Sequence, residues 1–153
     1  MRKAHLIAAT LILIVLAGAT VLLNRQSDEL PTVTVYKSPT CGCCAKWVDH
    51  MKANGFEVNV TDMPDVTPMK TRFGLPVALA SCHTAVIDGY VVEGHVPADV
   101  VKKMLNEKPD ITGIAVPGMP IGSPGMEVEG RPAQQYDILA FTKDGKYSVY
   151  ESR

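Results

Sequence analysis

The sequence predicts an α/β fold with a mixed central sheet, and three observations predict it. A strand-like run at residues 33–37 leads into a helical pattern, and a second strand-like run follows that helix. Strands joined by a helical crossover are parallel. Asp88-Gly89 separates two runs rich in β-branched residues and marks a two-residue hairpin turn, whose strands are antiparallel. A further apolar helical pattern over residues 97–107 supplies another helix to cover the sheet.

At the N-terminus, Arg2 and Lys3 precede an uncharged run over residues 6–23. Its core, residues 6–16, has the length of a signal-peptide apolar region, and Ala17-Gly18-Ala19 offers a small-residue cleavage site. The whole run also reaches the roughly 18 to 20 residues that span a bilayer. A cleaved signal peptide and a retained membrane anchor both fit residues 1–23. Either one exports the remainder, because positive residues ahead of the run stay on the cytoplasmic side. Residues 24–32 are polar and read as a linker, and residues 33–153 form one domain with a modest core. The formal net charge is −1, and no basic stripe points to a nucleic-acid partner.

Within the domain, Ser38-Pro39-Thr40 ends the first strand, and Thr40 is the expected N-cap of a helix over residues 41–54. Cys44, Trp47, Val48 and Met51 share one face of that helix, and Gly55 supplies its stop. Residues 56–60 alternate as a half-buried strand, and Asp65 caps a short helix that ends before Gly74. Strands over residues 84–87 and 90–95 flank the Asp88-Gly89 turn. A helix over residues 97–107 turns Val100, Val101, Met104 and Leu105 inward. Residues 111–131 break the pattern and read as a Gly/Pro/Met loop, and residues 136–141 and 147–151 form a terminal hairpin. The order β-α-β-α-β-β-α followed by that loop and hairpin is thioredoxin-like.

The chain has four cysteines, Cys41, Cys43, Cys44 and Cys82. Three of them crowd into one short motif, a poor way to staple a fold and a good way to build metal or redox chemistry. Cys41 and Cys44 form a C-x-x-C at a helix start, where free N–H groups and the helix dipole stabilise thiolates. Cys43 adds a thiol that a dithiol oxidoreductase does not need, and three thiolates suit a soft ion such as Cu(I). Successive helical side chains diverge by about 100°, so Cys43 and Cys44 face one ion poorly. Thiolates bridging several copper ions avoid that difficulty.

If Ile87 pairs with Tyr90 across the turn, counting outward pairs Cys82 with His95, with Cβ atoms about 5 Å apart. His83 is then out of phase and points to the other face. His50, in the C-terminal half of the first helix, reads as structural. Met119 and Met126 sit in the Gly/Pro loop, where thioethers are soft ligands for Cu(I) or simply pack the loop onto the domain.

Taken together, Tyr36-Lys37-Ser38-Pro39-Thr40-Cys41-Gly42-Cys43-Cys44, Ser81-Cys82-His83-Thr84-Ala85, Glu93-Gly94-His95-Val96-Pro97 and the stretch from Val116 through Gly118-Met119-Pro120 to Gly125-Met126 resemble the bacterial copper-resistance CopG family. The resemblance covers residues 33–141 and departs at none of the cysteines. It implies a periplasmic thioredoxin-like domain with a thiolate-bridged copper cluster, working in copper resistance and Cu(I)/Cu(II) conversion beside other periplasmic copper-handling proteins. By motif match it carries Cys41, Cys43, Cys44 and Cys82 over as ligands, with His95, Met119 and Met126 behind them. Two other function classes fit the residues: a thiol–disulfide oxidoreductase using Cys41 and Cys44 alone, and a structural zinc or iron–sulfur module, the iron–sulfur version disfavoured because a chain exported unfolded must find its cluster outside the cytoplasm. Whether the copper reading describes an oxidoreductase or a binding protein stays open on residues alone.

Overall fold

The computed structural model describes residues 29–153. The expected signal or anchor, and the linker up to residue 28, lie outside the described residues. Among the described residues, no helix is long and apolar enough to cross a membrane.

β1 (Val33–Lys37) alternates buried and half-buried side chains and enters α1 (Gly42–Ala53), which carries the cysteine motif. The helix begins one residue later than its pattern suggests. Cys41 is its N-cap, and Thr40, the expected cap, instead lies 3.1 Å from the Ser38 hydroxyl. The other end behaves as expected. Gly55, at φ 89°, donates to Lys52 O and Phe56 donates to Met51 O, a paired closure that seats Phe56 on Met51. That closure consumes Phe56, so β2 (Val58–Asp62) starts two residues later than expected and is largely exposed.

α2 (Thr67–Arg72) follows, its first turn tied by Thr67 N–H donating to the Asp65 carboxylate. A single 3-10 turn (Val77–Leu79) leads to β3 (His83–Ile87), which pairs through the Asp88-Gly89 turn with β4 (Tyr90–Gly94). α3 (Ala98–Glu107) buries Val100, Val101, Met104 and Leu105 as its pattern requires. The terminal hairpin is β6 (Asp137–Phe141) and β7 (Tyr147–Ser152).

One strand was not expected. β5 (Gly113–Val116) lies inside the stretch read as loop. All of its residues are buried, and so short an apolar run carries no alternation to distinguish strand from loop. It runs parallel to β4 and antiparallel to β6, joining the terminal hairpin to the rest. The result is one seven-stranded mixed sheet in the order β2-β1-β3-β4-β5-β6-β7. β1 and β2 are parallel, as the helical crossover predicts.

The sheet separates two apolar clusters. On one face Val33, Val35, Ala85, Ile87, Val92, Ile114 and Ile138 meet α1 and α3. On the other, Val91, Ala115 and Phe141 meet Leu75 and Leu79 from the segment after α2. The start of α1 and the chain entering β3 therefore converge with the end of β4 at one end of the sheet.

Candidate metal centre

All four sulfurs gather where α1 begins. One metal-binding atom from each of Cys41, Cys43, Cys44 and Cys82 lies within 4.8 Å of all the others. Cys41 and Cys44 are joined as a disulfide, while Cys43 and Cys82 are free. Cys43 Sγ is 3.5 Å from Cys41 Sγ, and Cys44 Sγ lies 3.9 Å from the Cys82 carbonyl. No acidic residue stands in the first turn of α1, so nothing there opposes thiolates at the positive end of the helix.

Cys82 is also a member of a second group. Cys82, His83 and His95 offer ligand atoms within 4.8 Å of one another. Cys82 Sγ is 3.1 Å from His95 Nε2 and 3.4 Å from His83 Nδ1. The Cys82–His95 proximity is what the hairpin register demands. His83 corrects the sequence reading: it does not turn away. Strict alternation ends before this point, because Cys82 precedes β3 and Gly94 closes β4 at φ 71°. His83 keeps the inward direction of Ala85 and Ile87 and packs on Trp47, ring centroids 4.5 Å apart. Its Nε2 is buried with no hydrogen-bond partner among the described residues.

The electrostatics suit neutral ligands. Burial holds the His83 imidazole well below its usual pKa, helped by the charges of His95, Lys70 and Lys37. Burial also lowers His95, against the pull of the Pro124 carbonyl and Glu127. His95 Nδ1 is 2.8 Å from that carbonyl. With Nδ1–H donating there, Nε2 presents its lone pair toward Cys82, as an outer hydrogen bond does for metal-binding histidines. Burial pushes the Cys82 thiol up to about 11, with the charge of Cys43 adding to it. A metal that binds Cys82 therefore displaces a proton.

Pro124 brings the Gly/Pro/Met loop into the site. Beside it Gly125, at φ 85°, lies so close to α1 that a Cβ there would stand 2.8 Å from Cys43 O and 2.9 Å from Trp47 N. Met126 follows in a half-buried position, its N–H donating to Ser123 O. Met119 is 41% exposed and holds φ 48°, a left-handed conformation unusual for its side chain. The loop thus rests on the cysteine helix, with Met126 on its inner part and Met119 toward solvent. His50 is structural, as expected: its Nε2 accepts the Ala98 N–H at the start of α3.

The donor set is soft at the α1 end and imidazole-rich at the β3–β4 end, with Cys82 common to both. That chemistry fits copper better than a hard cation. Sequence reasoning missed His83 and the carbonyl of Pro124. The first signal was present in the Cys82-His83 dipeptide but was set aside by strand phase, and the second is a long-range backbone contact that leaves no trace in composition.

The family described as "Protein of unknown function, DUF411" matches residues 79–126. Two solved structures, described as form 2 and form 1 of copper resistance protein CopG, are each 45% identical to this chain. They match at TM-scores of 0.76 and 0.75, covering 82% of this chain and 99% and 98% of theirs. No curated protein matches the chain.

Proposed function

Because the chain belongs to the CopG family of copper-resistance proteins, we propose that it binds copper as Cu(I) in a multinuclear thiolate site and serves copper resistance in the periplasm. The observation that carries this reading is the gathering of Cys41, Cys43, Cys44 and Cys82 at one helix start, with Cys82 shared by His83 and His95. Thiolates that each touch more than one ion hold more copper than isolated four-coordinate sites do. The loop adds two thioethers, Met126 half-buried against the domain and Met119 toward solvent. Export of the domain by residues 1–23, cleaved or retained as a tether, belongs to the same reading.

A redox role follows from the Cys41–Cys44 disulfide. Oxidation of the two thiols to the disulfide releases two electrons and two protons. Cu(II) is the matching oxidant: two ions take one electron each and become Cu(I). The imidazoles of His83 and His95 tolerate either oxidation state, whereas the sulfurs favour Cu(I). The same disulfide favours, as a second reading, a thiol–disulfide oxidoreductase that uses Cys41 and Cys44 alone.

The deciding experiment is anaerobic titration of the reduced protein with Cu(I) against a chromophoric chelator. More than one copper retained per chain, with a loss in Cys43→Ser and in Cys82→Ser, is the expected result. Retention of no copper, with disulfide exchange intact in both variants, moves the protein to the second reading.

A further inference from the structure

Cys82 belongs to no strand, yet its sulfur stands within reach of two imidazoles and three other sulfurs. The residue before it explains why. Ser81 N–H donates to Glu93 Oε1. Glu93 is fully buried on the face of the sheet away from α1, beside apolar Val91. Its Oε1 also accepts from Lys70 Nζ of α2, and its Oε2 accepts the Thr84 hydroxyl at 2.7 Å. Lys70 Nζ donates to that same hydroxyl at 3.0 Å. A buried ion pair on a face that could hold apolar side chains is weak evidence for stability, because well-packed hydrophobic residues often serve as well or better. Its distinctive product here is the grip on one backbone N–H outside the ladder.

Gly94 grips the same residue from the side. A Cβ on Gly94 would stand 2.7 Å from Ser81 Oγ and 2.8 Å from Ser81 Cβ. The end of β4 thus fixes Ser81 twice, through the Glu93 carboxylate and through the bare Cα of Gly94. The next residue of each segment is a site residue: Cys82 after Ser81, and His95 after Gly94.

We propose that Glu93, held by Lys70 and Thr84, is a positioning residue that sets where the Cys82 sulfur stands relative to His95 and the α1 cysteines. It does not touch the metal. It fixes the segment that carries a ligand, from the opposite face of the sheet. The proposal rests on the copper reading only for what Cys82 does once placed; the placement itself is testable without copper.

The test uses the full chain, reduced and copper-free, and measures the alkylation rate of Cys82 by peptide mass spectrometry beside the melting temperature. Glu93→Gln replaces one accepting oxygen with an amide that donates. Cys82 is expected to alkylate about tenfold faster, the factor that loss of one charge-assisted hydrogen bond carries. Glu93→Asp keeps the negative charge but shortens the arm that reaches the fixed Ser81 N–H, and is expected to accelerate alkylation too; it carries the test if the Gln variant fails to fold. Phe141→Leu, an apolar change on the same face, is the control: it should lower the melting temperature and leave the Cys82 rate alone. Wild-type rates in the Glu93 variants, or equal acceleration in Phe141→Leu, overturn the proposal. Accelerated alkylation in a protein whose wild type retains no Cu(I) sinks the copper reading and leaves the positioning role standing.

Discussion

His95 Nδ1 stands 2.8 Å from the Pro124 carbonyl while Nε2 of the same ring lies 3.1 Å from Cys82 Sγ, so one imidazole fastens the covering loop and faces the sulfur site at once. These two jobs separate by mutation. His95→Asn retains an amide N–H near the Nδ1 position and loses the second nitrogen. It is expected to retain little copper yet resist protease in residues 117–135 as the wild type does. His95→Ala is expected to lose copper and also to be cut faster in that loop. Equal protease sensitivity in the two variants would show that the Pro124 bond does not hold the loop.

Gly125 brings the loop backbone close against α1. Gly125→Ala places a methyl where Cys43 O and Trp47 N leave no room, at a φ that disfavours a side chain. Strain of this kind costs about 1 to 3 kcal/mol. The expected outcome is a lower melting temperature together with weaker Cu(I) retention, read by chelator competition. Normal copper affinity in a destabilised variant would make the loop a structural element alone.

Met119 pays for its conformation without burying its side chain. Asparagine tolerates the left-handed region better. Met119→Asn should therefore leave the melting temperature unchanged or raise it, by up to about 1 kcal/mol of stability, while Cu(I) is retained less tightly. A rise in stability with no change in copper binding would remove Met119 from the site and leave Met126 as the loop's thioether.

His50 gives a pH dependence whose sign is fixed. Burial lowers its pKa in the folded protein, opposed by Glu127 and Asp99. A depressed histidine contributes stability that is complete above the unfolded value of about 6.5 and is lost as pH falls through the folded value. Protonation also removes the acceptor for the Ala98 N–H. His83 and His95 are shifted in the same direction. The copper-free protein is thus expected to melt at lower temperature as pH drops below about 6.5, and His50→Gln should make that decline shallower. An unchanged slope in the variant would assign the acid sensitivity to the site histidines.

Local signals carried a large part of the structure. The Asp88-Gly89 turn fixed a register, and counting along it brought Cys82 to His95 without any coordinates. The apolar spacing of Cys44, Trp47, Val48 and Met51 placed the cysteine motif at the start of a buried-faced helix. Where the reading failed, a nonlocal force had overridden a local rule. His83 faces inward in phase with Ala85 and Ile87, and Cys82 and His95, which lie beyond the ends of β3 and β4, leave strand phase to meet it. β5 was invisible because its partners, β4 and β6, lie on either side of it in space. Nothing local singles out Glu93; its partners Lys70 and Ser81 are delivered by the fold from elsewhere.

β5 and β6 are neighbouring antiparallel strands, with Ala115 opposite Leu139, so the segment covering the sulfurs leaves and re-enters the sheet at adjacent points. Its closure is already fixed by the ladder, and each doubling of such an excursion costs only about 0.6 kcal/mol. Outside Pro124 and Gly125, which are pinned to His95 and α1, the cover is therefore free to lengthen or shorten while the frame carrying the cysteines stays still. Selectivity for ion or partner can drift there by insertion and deletion, and a grafted segment of different length is the simplest route to re-specifying this protein without rebuilding its site.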